Sequence, residues 1–296
     1  MTKSDKLSRW LSSTISESKD KRYKHRLLKE DLSQRCEILE ELRSLVQKAH
    51  EDARRHLRDL AGTSLDPLDS LANDPAEGYP ECLHIRTLKG YLGEIFAGLV
   101  AEKLSPFGEA NWRVPTFLFR FHDFAFNELE RIRQGKKAKI IPGRPGDDCL
   151  AFQLDDQGQI RRSLVCEAKC TSSHDTHLIS DAHKQISDPI SIPVSIRQII
   201  DILKDRKDDK DALAWVKALQ RLWLEGVDSS YERCDLVCYV CGRFPKRKPS
   251  WISSKVPHQS YTARRRLEAA EIHLHDVEDI IREVYGKKDA RNGSTN

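Results

Sequence analysis

Strand-like and helix-like segments alternate along most of the 296-residue chain, and this alternation constrains its fold more than any other feature. An apolar segment at 149–154, a polar turn at 155–159 and a returning segment at 163–170 predict a β-hairpin. Segments at 234–241 and 271–274 predict two later strands. Helical patterns lie between and around the strands, at 86–104, 180–186, 196–204, 212–224 and 277–285. Strands interleaved with helices predict an α/β main domain.

The first 60 residues carry a helical pattern. From Leu28 to Leu60, apolar residues recur in steps of three and four, which places them on one helix face. Gly62 and two prolines follow in a Ser/Asp/Asn-rich stretch that is typical of a linker. We expect this helical region to pack on the main domain, to dock a partner or to form a homodimer. The predicted divisions are a helical region with its linker at 1–75, a main domain at 80–286 and a disordered tail at 287–296.

Composition narrows the class of protein. With 50 Lys and Arg against 46 Asp and Glu, the net charge of +4 excludes a histone-like coating protein, so any nucleic-acid contact comes from local patches. One patch, at 21–26, is explained either by a solvated helix face or by a phosphate contact. The chain shows neither an apolar run of about 18 residues nor a signal-peptide core at its start. We therefore expect a cytoplasmic protein without a membrane span, whose 8 cysteines are reduced.

Two charged residues interrupt the second strand of the hairpin. Glu167 and Lys169 are two positions apart, so their side chains point to the same face, while the apolar residues around them point to the other. Both residue types are poor strand formers, so their presence needs a reason. The hairpin turn brings Asp148, which precedes its first strand, beside Glu167.

Neighbouring carboxylates suit a hard cation such as Mg²⁺, which binds one or two carboxylates, water and substrate phosphate. A lysine beside them can orient the attacking water or stabilise charge at the phosphorus. Glu94 is the only charged residue between Lys89 and Glu102 in an otherwise apolar helix, and a buried carboxylate needs a cation or a partner. Glu94 could therefore join Asp148 and Glu167 in a site for phosphodiester hydrolysis.

The order of these residues resembles the PD-(D/E)XK nuclease superfamily, which has an acidic residue on a first helix, then Gly-x-Asp, a hairpin and Glu-x-Lys. The resemblance implies a restriction-endonuclease-like mixed sheet flanked by helices. It also implies a metal-dependent endodeoxyribonuclease that uses Mg²⁺, with Mn²⁺ as a substitute, and acts on DNA. In this chain it implies Asp148 and Glu167 as metal ligands, Glu94 as an accessory ligand and Lys169 as the residue that positions water.

The chain departs from the superfamily pattern in two places. The first motif has no Pro-Asp pair, and Asp147 could replace Asp148. Where some members carry a Tyr four residues after a Gln, Pro189 follows Gln185. The overall layout is similar to nuclease subunits of bacterial antiphage systems of the Hachiman type (HamA-like). That similarity implies an antiviral defence role and a helicase as partner.

Two basic loops without acidic residues, at 131–144 and 243–266, flank the predicted site. Such loops neutralise phosphates, although a solvated loop would have the same composition. The predicted nucleic-acid contacts are Lys136, Lys137, Lys139, Arg144, Lys246, Arg247 and Lys248.

Other interpretations of the sequence stay open. Cys234, Cys238 and Cys241 have spacing that could hold zinc, but their surroundings have the composition of a buried strand. A catalytically silent DNA-binding or scaffold subunit would carry the same basic loops around a vestigial acidic centre. A helical adaptor that acts mainly through its N-terminal helix is a third class.

Overall fold

The computed structural model describes residues 6–61, 74–227 and 229–287. Within these ranges six strands form one sheet, namely β1 (Leu11–Glu17), β2 (Tyr23–Glu30), β3 (Cys149–Leu154), β4 (Ile160–Thr171), β5 (Glu232–Cys241) and β6 (Leu267–His273). The helices are α1 (Lys6–Trp10), α2 (Arg35–Ala49), α3 (Glu51–Ala61), α4 (Ile85–Lys103), α5 (Asp123–Arg133), α6 (Thr176–Gln185), α7 (Ile196–Lys204), α8 (Lys210–Glu225) and α9 (Val277–Val284).

The sheet is mixed, with strand order β1-β2-β6-β5-β4-β3. Its four central strands are parallel, whereas β1 and β3 pair antiparallel at the two edges. Helices cover both faces. Side chains of α2, α4 and α9 pack on one face, and those of α6, α7 and α8 pack on the other. The predicted α/β fold with a mixed sheet flanked by helices is confirmed.

The prediction that all of the first 60 residues are helical is wrong for residues 11–30, which form β1, a turn and β2. β2 lies inside the sheet and pairs in parallel with β6. Its polar residues are buried because β6 supplies partners: Arg26 Nε lies 2.6 Å from Glu268 Oε1, and His25 Nε2 lies 3.2 Å from Glu271 Oε2. Arg26, in the basic cluster at 21–26, is therefore neither on a solvated helix face nor free to contact a phosphate.

The helical stripe is confirmed after residue 34, but as two helices, α2 and α3. The apolar face of α2, which includes Leu42 and Val46, is buried in the same core as α4 and α9. Homodimerisation through this region stays a prediction. The predicted linker lies largely outside the described residues, and so does the predicted tail beyond residue 287.

The predicted strands and helices of the main domain are confirmed, with ends that differ by up to four residues. Helix α5 was not predicted, and the basic loop therefore begins only after Arg133. In the part of the chain that the structure describes, no helix combines the length and the apolar character that a bilayer crossing requires.

Candidate functional site

Glu167 and Lys169 lie on β4, between β3 and β5, on the sheet face that α6–α8 cover. Lys169 Nζ donates to Glu167 Oε1 at 2.5 Å and to Gln185 Oε1, at the end of α6, at 3.1 Å. Their side chains are only 13% (Glu167) and 21% (Lys169) exposed. The pair is therefore an enclosed ion pair rather than an ordinary surface salt bridge.

Asp148 lies immediately before β3 and is tied to β4. The antiparallel strands β3 and β4 pair Cys149 with Cys166. Asp148, one residue before Cys149, therefore lies beside Glu167, one residue after Cys166. Asp148 Oδ2 accepts a hydrogen bond of 2.8 Å from the backbone amide of Ala168. The predicted convergence of Asp148, Glu167 and Lys169 is therefore present in the structure.

Glu94 reaches the same site from α4. The neighbouring Gly93 allows α4 to approach β4 closely, because a Cβ at Gly93 would lie only 3.1 Å from Cys170 Cβ. Glu94 is buried, and its Oε2 lies 3.4 Å from Arg144 Nη2. Its predicted role as a ligand thus competes with an existing cationic partner.

Asp147 has a different role from Asp148. Its Oδ2 accepts from the backbone amide of Ser195 at 2.9 Å, and its own amide donates to Ser195 Oγ at 3.1 Å. These bonds tie the segment before β3 to the residue that precedes α7. Asp148, which faces Glu167, is therefore the better candidate for a metal ligand.

Burial of three carboxyl groups close together raises their pKa values. Burial raises the pKa of Glu94 to about 8, an effect that Arg144 opposes and that Asp148 reinforces. Burial and the neighbouring Asp148 raise the pKa of Glu167 to about 8, and burial also raises the pKa of Asp148. The site therefore holds more potential negative charge than its own cations neutralise.

Lys169 stays protonated in this surrounding. Burial alone would lower the pKa of its ammonium, but the carboxylates of Glu167 and Asp148 outweigh burial, and the pKa is raised. Lys169 is thus suited to orient a water or to neutralise charge on a phosphate, rather than to accept a proton.

A cleft of about 810 Å³ opens above these groups. Its walls come from α4, from the segment before β3, from β4 and from the loop between α6 and α7. The polar and charged side chains that line it are Arg86, Thr87, Tyr91, Glu94, His122, Arg144, Asp147, Asp148, Glu167, Lys169, Gln185 and Asp188.

The donor set of this cleft fits a hard divalent cation. Asp148 and Glu167 offer neighbouring carboxylate oxygens, and Mg²⁺ commonly takes one or two carboxylates with water and phosphate completing its shell. Among the described residues no group of three or more His, Cys, Asp or Glu side chains is arranged to hold a metal by itself. A cation would therefore be held mainly by Asp148 and Glu167, with Glu94 available only after it leaves Arg144.

Arg144, a predicted nucleic-acid contact, is part of the site instead. Its side chain is 1% exposed and donates to the backbone carbonyls of Pro145 (2.9 Å), Asp147 and Asp148. Its Nε is buried without a hydrogen-bond partner. The pairing of Arg144 with Glu94 could not be predicted from the sequence, because the position of an arginine in a basic loop does not show which carboxylate it contacts.

The other predicted nucleic-acid contacts are exposed, but they lie outside the cleft. They are Lys136, Lys137, Lys139, Lys246, Arg247 and Lys248. The loop 243–266 contains no acidic residue, but an acidic residue outside it contacts one of its arginines. Arg265 Nε lies 2.9 Å from the buried Asp235.

The three cysteines considered for zinc do not converge. Cys234 and Cys238 point into the core beneath α4, whereas Cys241 belongs to the core on the opposite face of the sheet. The alternation of side chains along β5 separates them. They are better explained as core residues of a buried strand.

Comparison with known proteins adds no family to this picture. The chain matches no protein-family model, and no curated protein sequence is significantly similar to it.

Proposed function

We propose that this protein is a Mg²⁺-dependent nuclease that hydrolyses DNA phosphodiester bonds. One observation carries the proposal: Asp148, Glu167, Lys169 and Glu94, from three separate elements, line one cleft. Carboxyl groups with raised pKa values beside a protonated lysine in a cleft are a common feature of catalytic centres and support this proposal.

In this proposal each side chain has a defined task. Asp148 and Glu167 hold the ion, which supplies charge neutralisation and Lewis-acid polarisation at the phosphate. Lys169, fixed by Glu167 and Gln185, orients the attacking water and stabilises charge on the phosphate oxygens. Arg144 pairs with Glu94 and donates to the backbone carbonyls of Pro145 and Asp147, which holds the segment that precedes Asp148.

DNA as substrate, a helicase as partner and a role in antiphage defence rest on the resemblance described above. The exposed basic residues at 136–139 and 246–248 support a nucleic-acid substrate, since they can neutralise backbone phosphates.

The test is cleavage of linear and supercoiled DNA by the purified chain in Mg²⁺, with Lys169→Ala and a chelator as controls. We expect cleavage that needs both the ion and Lys169, with a loss of about 100-fold or more in the variant. Cleavage that survives either control would contradict the assignment of this centre. Gln153→Ala, on β3 and outside the cleft, is a matched control for substitution in the sheet.

A catalytically silent DNA-binding subunit is the second candidate. It is favoured by one observation, namely that Lys169 and Arg144 already pair with two of the three carboxylates. Calorimetric titration with Mg²⁺ separates the two candidates. A nuclease binds the ion and loses it with Glu167→Ala, whereas a silent subunit binds DNA equally well with and without the ion.

A further inference from the structure

One wall of the cleft is a short loop, residues 187–195, between α6 and α7. Two aliphatic side chains in it, Ile190 and Val194, are 43% and 59% exposed although both line the cleft. Val194 also borders an adjoining hollow of about 460 Å³, together with Phe121 and Arg197. Ile190 and Val194 form an apolar ridge on this wall, in which Val194 borders both concave surfaces and Ile190 borders the cleft.

Ion pairs and hydrogen bonds hold this ridge at both ends. Asp188 accepts from Arg233 Nη1 at 2.8 Å and from Nη2 at 3.0 Å, and Arg233 also donates to the carbonyl of Ile190. At the other end, Ser195 exchanges two hydrogen bonds with Asp147. The Arg233 side chain is 3% exposed, so the first of these anchors belongs to the protein interior.

The anchors keep Ile190 and Val194 in contact with water. Pro189 and Pro193 fix two backbone φ angles in the loop, which further limits the ways in which it can fold its apolar groups inward. Single exposed aliphatic side chains are common on protein surfaces, and these two are distinguished by their place on the wall of the carboxylate cleft. A ligand that enters the cleft meets this surface next to Asp147 and Asp148.

We propose that Ile190 and Val194 form an apolar wedge that contacts the bases of a DNA strand beside the carboxylate cleft, so that unpaired or unstacked DNA is the preferred substrate. This inference rests on the proposed nuclease function. Aliphatic wedges contact base faces, which a single strand exposes and a duplex keeps stacked. Arg197 and Asp201 both line the adjoining hollow, and exposed Arg197, which has no ion pair among the described residues, is the cation there that can contact a backbone phosphate of the same strand.

The wedge is tested with the double variant Ile190→Ser/Val194→Ser. Binding to single-stranded and duplex oligonucleotides is measured by fluorescence anisotropy, with Ca²⁺ in place of Mg²⁺. We expect the wild type to bind the single strand more tightly than the duplex. In the double variant the Kd for the single strand should be about tenfold higher. A 2-aminopurine in a duplex should brighten with the wild type and not with the variant, because only the wedge unstacks it.

Two controls address general effects of substitution. Leu213→Ser changes an aliphatic side chain on α8 that is 45% exposed and lies outside the cleft, so it should bind DNA like the wild type. The exchange Ile190→Val/Val194→Ile keeps the ridge apolar and should also retain binding. A loss in either control as large as that in the double variant would overturn the wedge.

The outcomes separate the wedge from the nuclease. A wild type that cuts DNA, with a double variant that binds single strands equally well, overturns the wedge alone. A wild type that binds single strands through these residues but does not cut in Mg²⁺ supports the wedge and refutes the nuclease. A wild type that binds no nucleic acid refutes both.

Discussion

Asp148 Oδ2 accepts a hydrogen bond of 2.8 Å from the backbone amide of Ala168, one residue from Glu167. This bond fixes the first carboxylate of the site to the strand that carries the second one. The spacing between the two groups therefore depends on the hairpin itself and not on a mobile loop.

Ion binding should release protons. Burial raises the pKa values of Glu94 and Glu167 to about 8, and a bound cation favours the ionised carboxylates, so it should displace the protons that these groups hold near neutral pH. We expect the affinity for Mg²⁺ to rise about tenfold per pH unit for each proton released, from about pH 6 to about pH 8, and then to level off. Calorimetry in buffers of different ionisation enthalpy counts these protons. An affinity that stays constant over this range would contradict the prediction.

The pair Arg144 and Glu94 should behave as a unit. Arg144→Met leaves Glu94 buried without its cation and removes bonds to three backbone carbonyls, so we expect a loss of about 1–3 kcal/mol in the free energy of unfolding. Glu94→Gln added to Arg144→Met should restore part of this loss. Urea unfolding of the two single variants and the double variant measures the coupling. Strictly additive effects would show that the two side chains do not interact.

Gly93 should tolerate a bulky side chain poorly. In Gly93→Val a Cβ would lie 3.1 Å from Cys170 Cβ before the added methyl groups are placed, so either Cys170 or α4 must shift. Gly90→Val is the matched control, because it makes the same change in the same helix with nothing within 4 Å of the new Cβ. We expect Gly93→Val to be less stable than this control by about 1–3 kcal/mol in urea unfolding. Equal stabilities would mean that the two elements do not require this close approach.

Glu271 should make the fold sensitive to acid. Burial alone would raise the pKa of Glu271, but hydrogen bonds from His25, His273 and the amides of Trp251 and Ile252 outweigh burial and lower it to about 2. Its folded-state pKa lies below its unfolded value, so its stabilisation is complete above about pH 4.5 and is lost as the pH falls towards about 2.

The test of this group compares the wild type with Glu271→Gln. Between about pH 6 and about pH 3, we expect the wild type to lose about 2 kcal/mol more unfolding free energy than the variant, which carries no titrating group at this position. Urea unfolding at the two pH values measures the difference. An identical pH response of both proteins would refute the role assigned to Glu271.

Local patterns predicted the parts of the fold whose information is local. The hairpin around the turn at 155–159 and the side-chain alternation that sets Glu167 and Lys169 on one face depend only on neighbouring residues, and both are present. Glu94 was recognisable because it is a single charge in an apolar helix. β2 was not recognisable, because its polar residues fit a buried strand only when Glu268 and Glu271 of β6 pair with Arg26 and His25.

The sequence by itself determined which strands and helices carry the acidic residues and Lys169, because periodicity and turn chemistry act over a few residues. Only the tertiary structure decided that Arg144 is enclosed against Glu94 and that Asp147 bonds to Ser195 while Asp148 faces Glu167. It also decided that Ile190 and Val194 are held exposed at the cleft. These features depend on contacts between residues as many as 50 positions apart, such as Arg144 with Glu94, and such pairings arise only when the sheet and its helices assemble.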